Sequence, residues 1–218
     1  MRSRVLASPI AMVAAAAIGL AGALPVTSAK ATSEPPFGIA FPQETSKTHF
    51  SSTFGASRSG GRRHKGNDLM AERMTEVYAA ADGVVFDISV DRLGGRSIKI
   101  SHADEWTSAY LHLNNDNPGT DDGEAPWSLT VAPGIAVGTE VRQGQLIGWV
   151  GDSGNAEWTA PHTHFELRRD GTPINPYKLL LAAYEHDLAQ EIALVEEVEE
   201  HLRIWHELAR EQIDLMIE

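Results

Sequence analysis

The chain has 218 residues, with 18 Lys and Arg against 30 Asp and Glu, a formal charge of −12, and no cysteine. That length suits one domain with appendages and can bury a core without staples. The missing cysteines exclude a disulfide framework and a lipid-modified cysteine, and the acidity argues against nucleic acid or an anionic membrane surface as a partner.

Arg2 and Arg4 precede an apolar run from about Pro9 to Leu24, and Ala29-Lys30-Ala31 follows as a small-residue cleavage pattern. Residues 1–31 therefore read as a cleaved secretory signal peptide rather than a membrane span, so the mature chain is expected to be secreted, with no stable membrane span. Three of the basic residues and none of the acidic ones fall in this leader, leaving a formal charge of −15 on the rest. An exported chain without disulfides depends on its core, or on a metal, for stability.

Residues 32–36 read as a linker. Phe37 to Phe41 begins an extended segment ended by Pro42, and the Gly/Ser/Arg stretch from Gly55 to Arg63 is a loop. Between Glu76 and His112 the chain reads as successive strands: Val77–Ala80, Val84–Val90, Ser97–His102 and Thr107–Leu113, separated by Asp82-Gly83 and Gly94-Gly95 turns. Strands at this spacing, with no intervening helix, predict an antiparallel sheet. Asn114 to Trp127 is a polar loop, and Val131 to Val150 reads as a hairpin-like unit.

Ala160-Pro161-His162-Thr163-His164-Phe165-Glu166-Leu167 has the period of a strand. Residues two apart share a face, so His162 and His164 project side by side while Thr163 and Phe165 point the other way. On the Thr107–Leu113 strand the same rule groups Tyr110 with His112, and Leu111 with Leu113. If the leucines enter the core, His112 faces a surface or a cleft. His102 reads as structural. From Tyr177 onward there is no Gly or Pro, and Leu181, Leu188, Val195 and Leu202 recur every seven residues. This is an amphipathic helix with an acidic outer face, broken once at most, with a heptad pattern open to coiled-coil pairing or docking. His186, His201 and His206 read as surface residues of it.

His64 and Asp68, separated by a turn containing Gly66, can reach one cation, and a histidine from His162-Thr163-His164 brings the number of protein ligands to three. Three ligands with one open place is the arrangement of a catalytic zinc. These motifs, taken in order, carry a resemblance. His64-Lys65-Gly66-Asn67-Asp68, then Tyr110-Leu111-His112, then Pro161-His162-Thr163-His164-Phe165-Glu166 resembles the M23 (lysostaphin/LytM-type) zinc metallopeptidases. Ser52-Thr53-Phe54-Gly55 with Arg58, and the turns at 138–148 and 171–176, are similar as well, so the likeness covers about 37–177.

The resemblance implies a mainly β domain over 37–177, an antiparallel sheet of β-sandwich or barrel-sandwich type, followed by the helical tail 178–218. It implies one zinc per chain on His64, Asp68 and His164, with His112 and His162 as catalytic, non-ligand histidines; which of the two is the general base stays open. It implies hydrolysis of peptide bonds in bacterial peptidoglycan cross-links or stems, at the cell wall. The alternative within the family is a non-catalytic regulator that binds wall peptide or activates another hydrolase, but such members typically lack some of these five residues.

Three features depart from the family pattern. The stretch after His112 is long and holds Asp116, Asp121, Asp122 and Glu124. It is expected to form an enlarged loop beside the cleft that selects substrate; its acids lack the spacing of a calcium loop. Glu157-Trp158 lengthens the loop before His162. The tail 178–218 is expected to pack on the domain, self-associate or dock a protein partner.

Overall fold

The computed structural model describes residues 34–217; the leader 1–31 lies outside the described residues. Ten strands and one long helix are connected by loops and short 3-10 turns. The strands are β1 (His49–Phe50), β2 (Asn67–Met70), β3 (Glu76–Tyr78), β4 (Gly83–Asp91), β5 (Gly95–Ser101), β6 (Trp106–Leu113), β7 (Glu140–Val141), β8 (Leu146–Trp149), β9 (His162–Arg169) and β10 (Thr172–Ile174), followed by α1 (Tyr177–Ile217). The main sheet has the order β1-β2-β9-β6-β5-β4-β7, with β10 also on β9; β3 and β8 form a second, two-stranded sheet. Every pairing is antiparallel, as the Gly-bearing turns and missing crossover helices predict.

The core lies on one face of the main sheet. From β9 it takes Thr163, Phe165 and Leu167, and from its neighbours Leu69, Ile98, Ile100, Tyr110 and Leu113, closed over by Val77, Ile147 and Val150. Tyr110 and Phe165 are cross-strand partners whose rings meet edge-on at 5.4 Å. With the odd residues of β9 inside, the even ones, His162, His164 and Glu166, are committed to the opposite face.

The helix runs 41 residues without interruption. Two expectations fail in detail. The 131–150 stretch is not a hairpin: Arg142 to Gln145 reverses the chain, with Gln145 N–H donating to Arg142 O at 3.0 Å, but β7 joins β4 while β8 joins β3 in the other sheet. Nor does the alternation along β6 hold. Tyr110 is in the core, and Leu113 rather than Leu111 joins it there. Ile98 pairs with Tyr110 and Arg96 with Leu113, so Leu111 and His112 together oppose Ser97 in a β-bulge. The bulge turns the strand by one residue, and period-2 reasoning cannot pass through it.

Only the start of α1 packs on the domain. Leu180 and Ala183 are buried, and Tyr177 and Tyr184 meet Phe50 and Phe41 edge-on at 5.2–5.8 Å. Beyond these turns Leu188, Val195, Val198, Leu202 and Trp205 are exposed. Among the described residues no helix is long and apolar enough to cross a membrane.

His102 has the structural place expected of it. Its Nδ1–H donates to Asp82 O at 2.7 Å, and Nε2 faces Ser108 Oγ at 2.8 Å, with Tyr110 Oη and Ala80 N–H next in line. Burial pushes its pKa below the ordinary 6.5, outweighing the Asp82 carbonyl. Below about pH 6.5 the unfolded chain therefore binds a proton that the folded chain resists. This contribution to stability is complete above that pH and is lost as pH falls through the lowered folded value. Unfolding midpoints of chelator-treated protein at pH 7.5 and 5.5 should drop on acidification, and drop less in His102→Asn; an equal drop would place the sensitivity elsewhere.

Candidate metal centre and cleft

β2 and β9 are hydrogen-bonded neighbours, and their register sets Asp68 directly opposite His164 and Met70 opposite His162. Cross-strand partners share a face, so a carboxylate and an imidazole are placed together by the sheet itself. His64 comes from the turn just before β2. That turn lies so close to β9 that a Cβ on Gly66 would sit 2.0 Å from Phe165 O. Glycine is required there because the obstacle is backbone, and the close approach brings His64 onto the same spot.

His64 Nε2, Asp68 Oδ1 and His164 Nδ1 converge. The three separations are 2.9 Å (His64 to Asp68), 2.8 Å (His64 to His164) and 2.9 Å (His164 to Asp68). Each imidazole has its other nitrogen committed outward. His64 Nδ1–H donates to Thr53 O at 2.9 Å, and His164 Nε2–H donates to Glu166 Oε1 at 3.1 Å. An acceptor on the outer nitrogen fixes the tautomer, so in the neutral rings the inner nitrogens carry lone pairs. The lone pairs so turned inward are the ones a bound cation would use. Two imidazoles and a carboxylate are the donor set of zinc.

The surrounding charges support the arrangement. Each carboxylate turns its inner oxygen to a histidine and its outer one to an arginine: Asp68 Oδ2 accepts from Arg58 at 2.5 Å, and Glu166 Oε2 accepts from Arg168 Nε at 2.6 Å. Burial alone would push the Asp68 carboxyl up, but its bonds to His164 and His64 hold it well below the usual carboxylate range. For Glu166, too, burial is opposed by His164 and Arg168, which bring it to about 2. On His164 burial acts downward and the two carboxylates upward, with a net rise.

His112 and His162 stand beside this cluster, their rings 5.0 Å apart, with His112 6.0 Å from His164. Both are anchored as the others are. His112 Nδ1–H donates to Ser153 O and His162 Nδ1–H to Ala160 O, each at 2.8 Å, leaving Nε2 for the cleft. His162 Nε2 is 3.9 Å from Asp68 Oδ1. His112 occupies the β6 bulge with φ +61°, the left-handed region, which costs a non-glycine residue about 1–2 kcal/mol. The bulge is what aims His112 at the cluster, a result the broken alternation reaches by a different route. Burial, then the neighbouring His162, lowers the His112 pKa to about 4, so the ring is neutral at neutral pH.

All five residues singled out from the sequence thus lie together. Sequence reasoning left Glu166 without a role, although it shares the β9 face with both histidines; its period-2 position was the available signal. The carbonyls of Thr53, Ser153 and Ala160 have no sequence signature. A cavity of about 760 Å³ is lined by Met70, Arg73, Thr120, Asp121, Ala160 and Pro161 among others; the long loop after His112 borders it, whereas none of the five cluster residues does. Trp158 is 85% exposed, so its ring is not packed into the domain.

Residues 62–124 and 128–176 match the model of Peptidase family M23. The peptidoglycan DD-endopeptidase ShyC of Vibrio cholerae serotype O1 is 31% identical over 115 residues, 53% of this chain and 22% of that protein. The murein hydrolase activator NlpD of Escherichia coli K12 is 33% identical over 129 residues, 59% of this chain and 28% of that one. The chain thus spans about a quarter of the length of these curated relatives. A solved zinc-containing peptidase from Vibrio cholerae shares the fold, with TM-score 0.51 and 24% identity over 63% of this chain and 39% of that one.

The anchoring bonds give a direct test of the cluster. Glu166→Gln removes the charge that orients His164, and divalent-ion affinity measured by chelator competition should fall about 10–100-fold. An unchanged affinity would mean that His164 is positioned without it.

Proposed function

The chain belongs to peptidase family M23, and on that premise we propose that it is a zinc-dependent endopeptidase cutting peptide bonds in the cross-links or stems of bacterial peptidoglycan. The observation that carries this reading is the triad of acceptors within 2.9 Å of one another, with the histidine protons committed outward. In this reading His64, Asp68 and His164 hold one zinc per chain, and the substrate peptide lies in the cavity bordered by Met70, Ala160 and Pro161. A zinc ion bound there supplies a Lewis acid that polarises the scissile carbonyl and makes water acidic enough to attack at neutral pH.

The chain's own groups do the rest. Nε2 of one of His112 and His162, each ring held at Nδ1–H by a backbone carbonyl, takes the proton of the attacking water; the imidazolium so formed hydrogen-bonds the developing oxyanion and delivers that proton to the leaving amine. Glu166 and the Thr53 carbonyl keep the ligand rings in their tautomers. Residues 1–31 act as an export signal, and the protein works outside the cytoplasm, at the wall. Peptidase domain 37–177 and tail 178–218 are the units of this proposal, the tail serving self-association or a protein partner.

A second reading, a non-catalytic activator of wall hydrolases, is favoured by the likeness to NlpD. It leaves the two anchored, non-ligand histidines without a use, and for that reason the enzyme is preferred.

The two readings separate in one experiment: elemental analysis of the purified chain with cross-linked peptidoglycan digested in parallel. The enzyme should carry about one zinc and release new peptide termini. His164→Ala should lose both metal and activity. His162→Ala and His112→Ala should keep the metal while turnover falls about 10²–10⁴-fold. Zinc at full occupancy without cleavage of any wall preparation would overturn the enzyme in favour of the activator.

A further inference from the structure

A second group of oxygens lies behind the cleft, where the long loop after His112 meets the loop before His162. Asp152 and Asp116 are almost fully buried, at 0% and 2% exposure, and Asp121 and Glu157 complete the group. Arg73 grips both oxygens of Asp152, and reaches Asp116 Oδ2 at 3.2 Å and Asp121 Oδ1 at 2.9 Å. Arg96 also acts on Asp116 electrostatically, so the four carboxylates outnumber the two nearby guanidinium groups, with Asp116 and Asp152 buried and Asp121 at the surface. Burial pushes Glu157 and Asp152 up, and their acidic neighbours push the same way.

Acidic residues cluster on many surfaces without binding anything, but here a neutral group also lacks its partner. Asn115 is nine-tenths buried, and its Oδ1 has no hydrogen-bond partner. The same amide points at the cluster, since its Nδ2 lies 3.4 Å from Glu157 Oε2. Rotation of the amide turns Oδ1 toward the acids. Asp116 Oδ2 also has no hydrogen bond, only its ionic contact with Arg73, while Oδ1 accepts from Gly123 N–H at 2.8 Å. Oxygens from Asp116, Asp121 and Glu157 lie within 4.8 Å of one another. Oxygens bound at about 2.4 Å to one ion are at most about 4.8 Å apart.

We propose that Asp116, Asp121, Glu157 and the Asn115 side-chain oxygen bind a calcium ion. The donor set is all oxygen, without His or Cys, which selects a hard cation over zinc. Four protein oxygens in an irregular cluster, with waters completing the shell, suit calcium better than the strict octahedron of magnesium. Arg73 remains as the counterion of Asp152. The ion would join two segments, 115–121 and 157, already linked through Asn115 and Glu157, close in sequence to Asp152-Ser153, whose Ser153 carbonyl anchors His112. The chain spacing does not reveal the site, because Glu157 comes from the second loop.

This inference does not depend on the catalytic reading, and its test avoids activity altogether. Calcium is titrated calorimetrically into the full, zinc-loaded chain, and thermal unfolding is followed with and without it. One saturable site is expected, with a dissociation constant of roughly 10⁻⁵–10⁻³ M, and the unfolding midpoint should rise with calcium concentration. Asp121→Asn with Glu157→Gln should abolish both the heat and the shift while retaining the zinc of the parent. Should that pair fail to fold, Glu157→Gln alone, at the rim, should weaken binding at least tenfold. No saturable heat up to about 10 mM calcium would overturn the site, because affinities of this kind reach only into the millimolar range. Unaltered binding in the variants would overturn it equally.

Discussion

The register of two short stretches of backbone governs everything else in the molecule. β2 contributes four residues and β9 eight, and the pairing that sets Asp68 opposite His164 also puts Leu69 and Thr163 into the core. A slip of one residue would exchange faces along the whole strand, sending the histidines into the apolar layer and Phe165 and Leu167 to the cleft. Burying two imidazoles and exposing two large apolar side chains is unfavourable on both counts. The hydrophobic core therefore acts as the alignment device for the polar cluster. That explains how three acceptor atoms can be held within 2.9 Å without a disulfide and with little helical support.

A single rule recurs in the site. Each of the four histidines spends one nitrogen on an acceptor outside the cluster: three on backbone carbonyls, and His164 on Glu166. A carbonyl cannot donate, so it dictates which ring nitrogen keeps its lone pair. The three rings tied at Nδ1 present Nε2, and the one tied at Nε2 presents Nδ1. The difference has a steric origin. His164 lies on the strand itself, too close to Asp68 for its far nitrogen to reach the common point. His64, His112 and His162 approach from a turn, a bulge and a strand end. His112 bears a positive φ to do so, and a strained residue at a polar cleft is where strain tends to persist.

Much of this was legible in the sequence, and the failures have identifiable physical causes. Alternation found the faces of β9 because that strand is regular. It failed on β6 because a bulge inserts one residue, and a bulge without glycine leaves no trace in composition. Strand existence was readable from 76 to 113, whereas pairing was not. The stretch 131–150 has the turn chemistry of a hairpin, but β7 and β8 are each captured by other strands, and that choice is made by tertiary contacts. The five candidate residues were visible through their type and order. Their anchors were not, since three of the four are peptide carbonyls that every residue possesses.

The tail shows the converse case, a local pattern with no tertiary partner. Its heptad stripe is genuine, yet the domain uses only Leu180, Ala183 and the two tyrosines near the helix start. Past Tyr184 the helix carries Leu188, Val195, Val198, Leu202 and Trp205 into solvent. A helix of 41 residues is about 60 Å long, more than a domain of this size can cover. Among the described residues nothing covers the exposed stripe. The helix carries acids at 185, 187, 191, 196, 197, 199 and 200, of which Glu200 pairs with Arg203. A parallel pair of such helices would set like charges against each other; an antiparallel pair, or a basic partner helix, would not.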